Sequence, residues 1–123
     1  MTKRILVVED TEDNRRIIRD LLTAAGYALI EATDGAEGVA LAQKERPDLV
    51  LMDIQLPEMD GYEATRQIRA IPELAGVPII AVTSYALSGD DAKARAAGCD
   101  DYVAKPFSPR QLLAKIREYL PPP

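Results

Sequence analysis

The chain contains no histidine among its 123 residues. That absence removes Ser-His and Cys-His nucleophilic pairs, histidine general bases and most zinc sites in one step. It also means that the chain cannot carry a phosphohistidine of its own. There is one cysteine, Cys99. No internal disulfide can form, a reducing, cytoplasmic setting is expected, and Cys99 is expected to be a small core residue. Long apolar runs are missing too. After Thr2-Lys3-Arg4 the first such run is only Ile5 to Val8, and nothing approaches the ~18 apolar residues of a membrane span. Basic clusters are absent, and the net charge is −5 from 15 Lys and Arg against 20 Asp and Glu. Neither a nucleic-acid surface nor a membrane partner is expected.

What is present is an ordinary globular composition, 47% hydrophobic and 28% charged, in a length that fits one domain with its own core. Leu49-Val50-Leu51-Met52 is apolar at four consecutive positions, the pattern of a strand buried on both faces in a parallel sheet. It stops on Asp53, and Pro57 and Gly61 bar any regular continuation. Ile5-Leu6-Val7-Val8 is a second such strand, ending on Glu9-Asp10, and a fourth strand over 78–83 ends on Thr83. A less apolar strand over 28–32 reads as an edge, and a fifth over 101–105 is stopped by Pro106. Helices are expected over about 13–25, from 34 to Pro47, over 62–71, over 90–97 and from 108 onward. Ile17, Ile18, Leu21 and Leu22 point inward in the first. Asp34-Gly35-Ala36-Glu37 and Ser108-Pro109-Arg110-Gln111 read as capping boxes. Strict alternation of five strands and five helices with short connections implies a doubly wound parallel sheet.

In such a sheet the carboxyl ends of all strands lie on one edge, where ligands bind. Glu9-Asp10, Asp53, Thr83 and Lys105-Pro106 therefore converge. Taken singly, each is as well explained by a solvated loop, a helix cap or a surface charge; four strand ends of five are not. Three close carboxylates repel one another and call for a cation. Oxygen ligands without sulfur or imidazole point to Mg²⁺ or a similar ion, with Lys105 as a fixed second charge. The turn Glu9-Asp10-Thr11-Glu12-Asp13 would repel a free phosphate, which argues against a flavin-type phosphate site.

These residues resemble the receiver domains of two-component response regulators, the CheY-like family. Val8-Glu9-Asp10 and Met52-Asp53-Ile54-Gln55-Leu56-Pro57 are similar to the stand-alone receivers of the DivK type. The resemblance implies a flavodoxin-like α/β fold with five parallel strands ordered 2-1-3-4-5 and five helices, forming a single receiver domain over 1–123. Pro121–Pro123 would be a tail, with no output domain. It implies that Asp53 is the phosphoacceptor. Glu9, Asp10, Asp53 and the backbone carbonyl of Gln55 would form the Mg²⁺ set, Glu9 acting through water. It further implies that Thr83 is the switch hydroxyl, Lys105 the phosphoryl-pairing lysine with a cis bond to Pro106, and Tyr102 the switch aromatic. Ser84 stands where alanine is frequent. Tyr85 is bulky beside the site, which bears on phosphoryl lifetime.

The resulting expectation is a signalling switch rather than an enzyme. A histidine kinase or histidine phosphotransfer protein would donate a phosphoryl group to Asp53. The face formed by the fourth helix, fifth strand and fifth helix would then act on a downstream protein. Three alternatives stay open: a receiver-like interaction module that is not phosphorylated, a receiver cut from a larger regulator or hybrid kinase, and a hydrolase using Asp53 as nucleophile. The hydrolase of haloacid dehalogenase type needs a second aspartate two residues on, where this chain has Gln55.

Overall fold

The computed structural model describes residues 2–84 and 90–121. In chain order they form β1 (Arg4–Val8), α1 (Glu12–Ala24), β2 (Ala28–Ala32), α2 (Gly35–Glu45), β3 (Leu49–Asp53) and α3 (Gly61–Arg69). A short 3-10 turn (Pro72–Leu74) is followed by β4 (Ile79–Thr83), α4 (Asp90–Ala97), β5 (Asp101–Ala104) and α5 (Pro109–Tyr119). The sheet is parallel throughout and ordered β2-β1-β3-β4-β5. The strands with unbroken apolar runs occupy its middle, because both of their faces must be covered. The half-buried β2 takes one edge, as its sequence indicates.

Alternation along the strands divides the core into two layers. Ile5, Val7, Leu49, Leu51 and Ile80 meet Ile18 and Leu22 of α1 and Leu112 and Ile116 of α5. Leu6, Val8, Val50, Met52 and Ala81 meet Ala42 of α2, Ala64 and Ile68 of α3, and Ala94 of α4. Cys99 is buried in this second layer, as a small core residue. Ile17 departs from the expected inward stripe of α1 and is 50% exposed. Ile18 and Leu22 already fill the contact with the sheet, and a helix facing one sheet buries a stripe too narrow to take Ile17 as well.

Local signals set the helix starts. The Asp34 carboxylate accepts the Glu37 N–H at 2.8 Å, and Ser108 Oγ accepts the Gln111 N–H at 3.0 Å. The return bond of the first box lands one residue early: Glu37 Oε1 accepts from the Thr33 N–H at 2.6 Å. α3 begins at Gly61 behind a cap that the sequence did not flag, with Asp60 accepting the Glu63 N–H at 2.9 Å. The connection from α3 to β4 contains the 3-10 turn, opened by Pro72. The buried Tyr27 hydroxyl donates to the Leu120 carbonyl at 2.7 Å, tying the end of α5 to the start of β2. Among the described residues no helix is long and apolar enough to cross a membrane.

Candidate functional site

Glu9 and Asp53 belong to the layer facing α1 and α5, by the same alternation that places Val7 and Leu51 there. Both are only 3% exposed, whereas Asp10 is exposed. One carboxylate oxygen from each of Glu9, Asp10 and Asp53 lies within 4.8 Å of the others. The Lys105 ammonium is 3.0 Å from Asp53 Oδ2 and 3.5 Å from Glu9 Oε1. Thr83, 1% exposed, ends β4 beside β3, and its carbonyl accepts the Lys105 N–H at 2.7 Å. The structure thus brings together the acids, the lysine and the threonine expected at the sheet edge. Tyr102 is set back: it pairs with Ala81, two residues before Thr83 and on the same face of the sheet. Its ring is partly buried in the layer of α2, α3 and α4. The Lys105–Pro106 peptide bond is cis. Tyr85, expected beside the site, lies outside the described residues, as do Pro122 and Pro123.

The turn after β3 is held in a fixed shape. Asp53 Oδ1 accepts the Gln55 N–H at 2.9 Å, and the Gly61 N–H returns to the Ile54 carbonyl at 3.0 Å. Gly61 is required there by space. A Cβ on it would lie 2.3 Å from the Asp53 carbonyl oxygen and 2.6 Å from Ile54 Cα. Glu58 adopts a left-handed φ of 64° within the same turn. The turn after β1 is fixed from α1, where the Arg15 guanidinium donates to the Glu9 carbonyl at 2.8 Å. Arg15 is itself held by Glu12 and, at 3.6 Å, by Glu31. The Thr11 N–H reaches Glu9 Oε2 at 3.2 Å.

Electrostatics follow from this crowding. Burial raises the Glu9 pKa from 4.5 to about 7, with the Asp53 and Asp10 carboxylates pushing in the same direction and Lys105 only partly opposing. Burial pulls the Lys105 ammonium down, but the hydrogen bond and charge of Asp53, then those of Glu9, outweigh it and leave its pKa above the ordinary lysine value. A compact set of hard oxygen ligands with excess negative charge fits a divalent cation such as Mg²⁺. At the mouth of the site an open groove of about 670 Å³ is lined by Asn14, Ile17, Ser84, Lys105, Pro106 and Phe107, together with Pro109.

Two site interactions had no signal in the sequence: the Arg15 bond to the Glu9 carbonyl, and a bond from the Ser84 N–H to Gln55 Oε1 at 3.2 Å. Both join a side chain to a backbone group, the first across the turn between β1 and α1 and the second between the ends of neighbouring strands, and residue spacing does not report such contacts.

A doubly wound parallel sheet with three acids, a lysine and a buried threonine at its carboxyl edge defines the class to which comparison with known proteins assigns the chain. Residues 5–117 match the family described as the response regulator receiver domain, and the chain belongs to that family. It is 44% identical over 120 residues to the polar-differentiation response regulator DivK of Brucella ovis, covering 98% of each chain. It is similar in structure to the chemotaxis protein CheY4 of Vibrio cholerae, with a TM-score of 0.93 and 30% identity over 98% of this chain and 100% of that one. It also resembles the receiver domain of a Pseudomonas aeruginosa sensor histidine kinase, solved with a magnesium ion coordinated in its active site cleft. There the TM-score is 0.90 and the identity 41%, over 97% of this chain and 98% of that one. The chain is accordingly a receiver domain of two-component signalling with a CheY-like flavodoxin fold.

Proposed function

We propose that this receiver accepts a phosphoryl group on Asp53 from a phosphohistidine on a partner kinase or phosphotransfer protein. The single observation that carries this reading is the buried Asp53 carboxylate, held by Lys105 on one oxygen and by the Gln55 N–H on the other. Fixing both oxygens sets the rotation of the carboxylate before the donor arrives, and positioning of this kind supplies much of the rate of phosphoryl transfer. An Asp53 oxygen attacks phosphorus and forms the O–P bond. The N–P bond of the donor breaks, and its electron pair stays on the donor imidazole. The Lys105 ammonium offsets negative charge on the phosphoryl oxygens. Glu9, Asp10, Asp53 and the Gln55 carbonyl would hold Mg²⁺, which when bound neutralises the acidic cluster and the incoming phosphoryl charge. Water attack on the resulting acyl phosphate releases phosphate and regenerates the Asp53 carboxylate, so the signal is self-limiting.

The donor protein has to approach Asp53 past the rim, where Ile17, Pro106, Phe107 and Pro109 present apolar surface beside Lys105. Output is assigned to the α4-β5-α5 face. Thr83 ends the strand beside Asp53, and Tyr102 shares its side of the sheet two residues back in register. A phosphoryl oxygen that draws the Thr83 hydroxyl changes the space open to the Tyr102 ring, a two-state element biased by a local charge. A free buried cysteine suits the reducing cytoplasm as the place of action. Membership of a hybrid kinase is a second reading, supported by the 41% identity to a kinase receiver. The test is intact mass after incubation with acetyl phosphate and Mg²⁺. One added phosphoryl group that Asp53→Asn abolishes supports the reading, and an addition that survives the substitution overturns it.

A further inference from the structure

Gln55 enters the site twice. Its N–H donates to Asp53 Oδ1 at 2.9 Å, and its side-chain oxygen accepts the Ser84 N–H at 3.2 Å. The residue therefore ties the acceptor carboxylate to the first residue beyond β4. Ser84 directly follows Thr83, whose carbonyl is bonded to the Lys105 N–H, and β4 is paired to β3 up to Asp53 and Val82. The Ser84 amide thus sits at the same mouth as the Lys105 ammonium, and both residues line the same groove.

A phosphoryl group on Asp53 brings three anionic oxygens into this space and needs donors for them. The Ser84 N–H is a backbone donor already aimed toward the Asp53–Gln55 turn, and it is occupied by a neutral amide oxygen. A charged oxygen is the better acceptor, because charge-assisted hydrogen bonds are roughly twice as strong as neutral ones. We propose that the Gln55 side chain is a latch that holds the unphosphorylated state by occupying the Ser84 N–H that a phosphoryl oxygen takes on activation. Gln55 is then a positioning residue acting through Ser84. This inference rests on Asp53 being the acceptor. The latch opposes phosphorylation in proportion to the bond it must give up, and it holds the end of β4 in register until that exchange occurs.

The test uses the whole chain at saturating Mg²⁺, with beryllofluoride as a non-reacting phosphoryl mimic. Gln55→Met keeps the length of the side chain and removes its oxygen, and Gln55→Ala removes both. Loss of one neutral hydrogen bond from the resting state alone should tighten mimic binding by about two- to tenfold in each variant. Hydrogen exchange of the Ser84 amide in the mimic-free protein should speed up by a similar factor, a change that general loosening would spread over neighbouring amides. Equal mimic affinity in the unsubstituted protein and both variants, or an unchanged Ser84 exchange rate, overturns the latch. Failure of the unsubstituted protein to bind the mimic overturns the acceptor reading instead, so the two failures are distinguishable.

Discussion

Lys105 reaches back from the end of β5 to place its ammonium 3.0 Å from Oδ2 of Asp53 at the end of β3, 52 residues away in sequence. Asp53 is almost fully buried, and Lys105 retains 19% side-chain exposure. The lysine partly compensates a carboxylate that shares its cleft with Glu9 and Asp10.

Removing either member should therefore move stability in opposite directions in Mg²⁺-free buffer. Lys105→Ala leaves Glu9 and Asp53 without their cation and should cost about 1–2 kcal/mol, less than a fully buried pair because the lysine head is partly wet. Asp53→Asn relieves like-charge repulsion and should raise the melting temperature, as neutralising a strained functional site commonly does. Thermal melts with and without Mg²⁺ check both signs, and Mg²⁺ should stabilise the unsubstituted protein more than Asp53→Asn.

Glu9 gives the pH dependence. Its folded pKa, about 7, lies above its ordinary 4.5, so the folded protein binds the proton more tightly than the unfolded chain. The contribution to stability is complete below pH 4.5 and is lost as pH rises through about 7. Glu9→Gln cannot ionise. In Mg²⁺-free buffer it should gain stability relative to the unsubstituted protein across that interval, read as the difference between the two denaturation midpoints against pH.

Gly61 is a packing test of how the acceptor turn is built. Gly61→Ala drives a methyl group into the Asp53 carbonyl and Ile54 backbone, at distances that neither can yield without moving β3. Overpacking of this kind costs about 1–3 kcal/mol, and here it should also slow phosphorylation. Gly76→Ala, whose Cβ meets nothing within 4 Å, should be near neutral in both measurements.

Thr83 tests the coupling to output. Thr83→Ala should still accept the phosphoryl group on Asp53, whereas the amide spectrum of α4, β5 and α5 should no longer respond to beryllofluoride. In the unsubstituted protein the Tyr102 resonances should shift with the mimic. An unchanged face there would reduce the protein to a phosphoryl carrier.

Much of this was legible in the sequence for a physical reason. Strands buried on both faces have to be apolar at every position, so β1, β3 and β4 stand out, and a parallel sheet then gathers Glu9, Asp53 and Thr83 at one edge whatever the loops do. Ile17 was misplaced because helical periodicity gives a stripe of apolar residues without saying how wide a stripe the sheet will cover. It instead lines the groove beside Phe107. The Arg15 and Gln55 contacts were illegible because they depend on rotamers and turn geometry, which no spacing encodes. The raised pKa of Glu9 depends on burial depth and on its distance to Asp53, which become known only once β1 and β3 are adjacent.

The most direct measurement locates the phosphoryl group itself. After phosphorylation by a small donor, borohydride reduces an aspartyl phosphate to homoserine with loss of phosphate, and peptide mass spectrometry finds the altered position. The expected result is homoserine at position 53 and nowhere else, absent when the donor or Mg²⁺ is omitted. Homoserine at another aspartate, or none despite a gain of phosphoryl mass, would contradict the assignment of Asp53 as the acceptor.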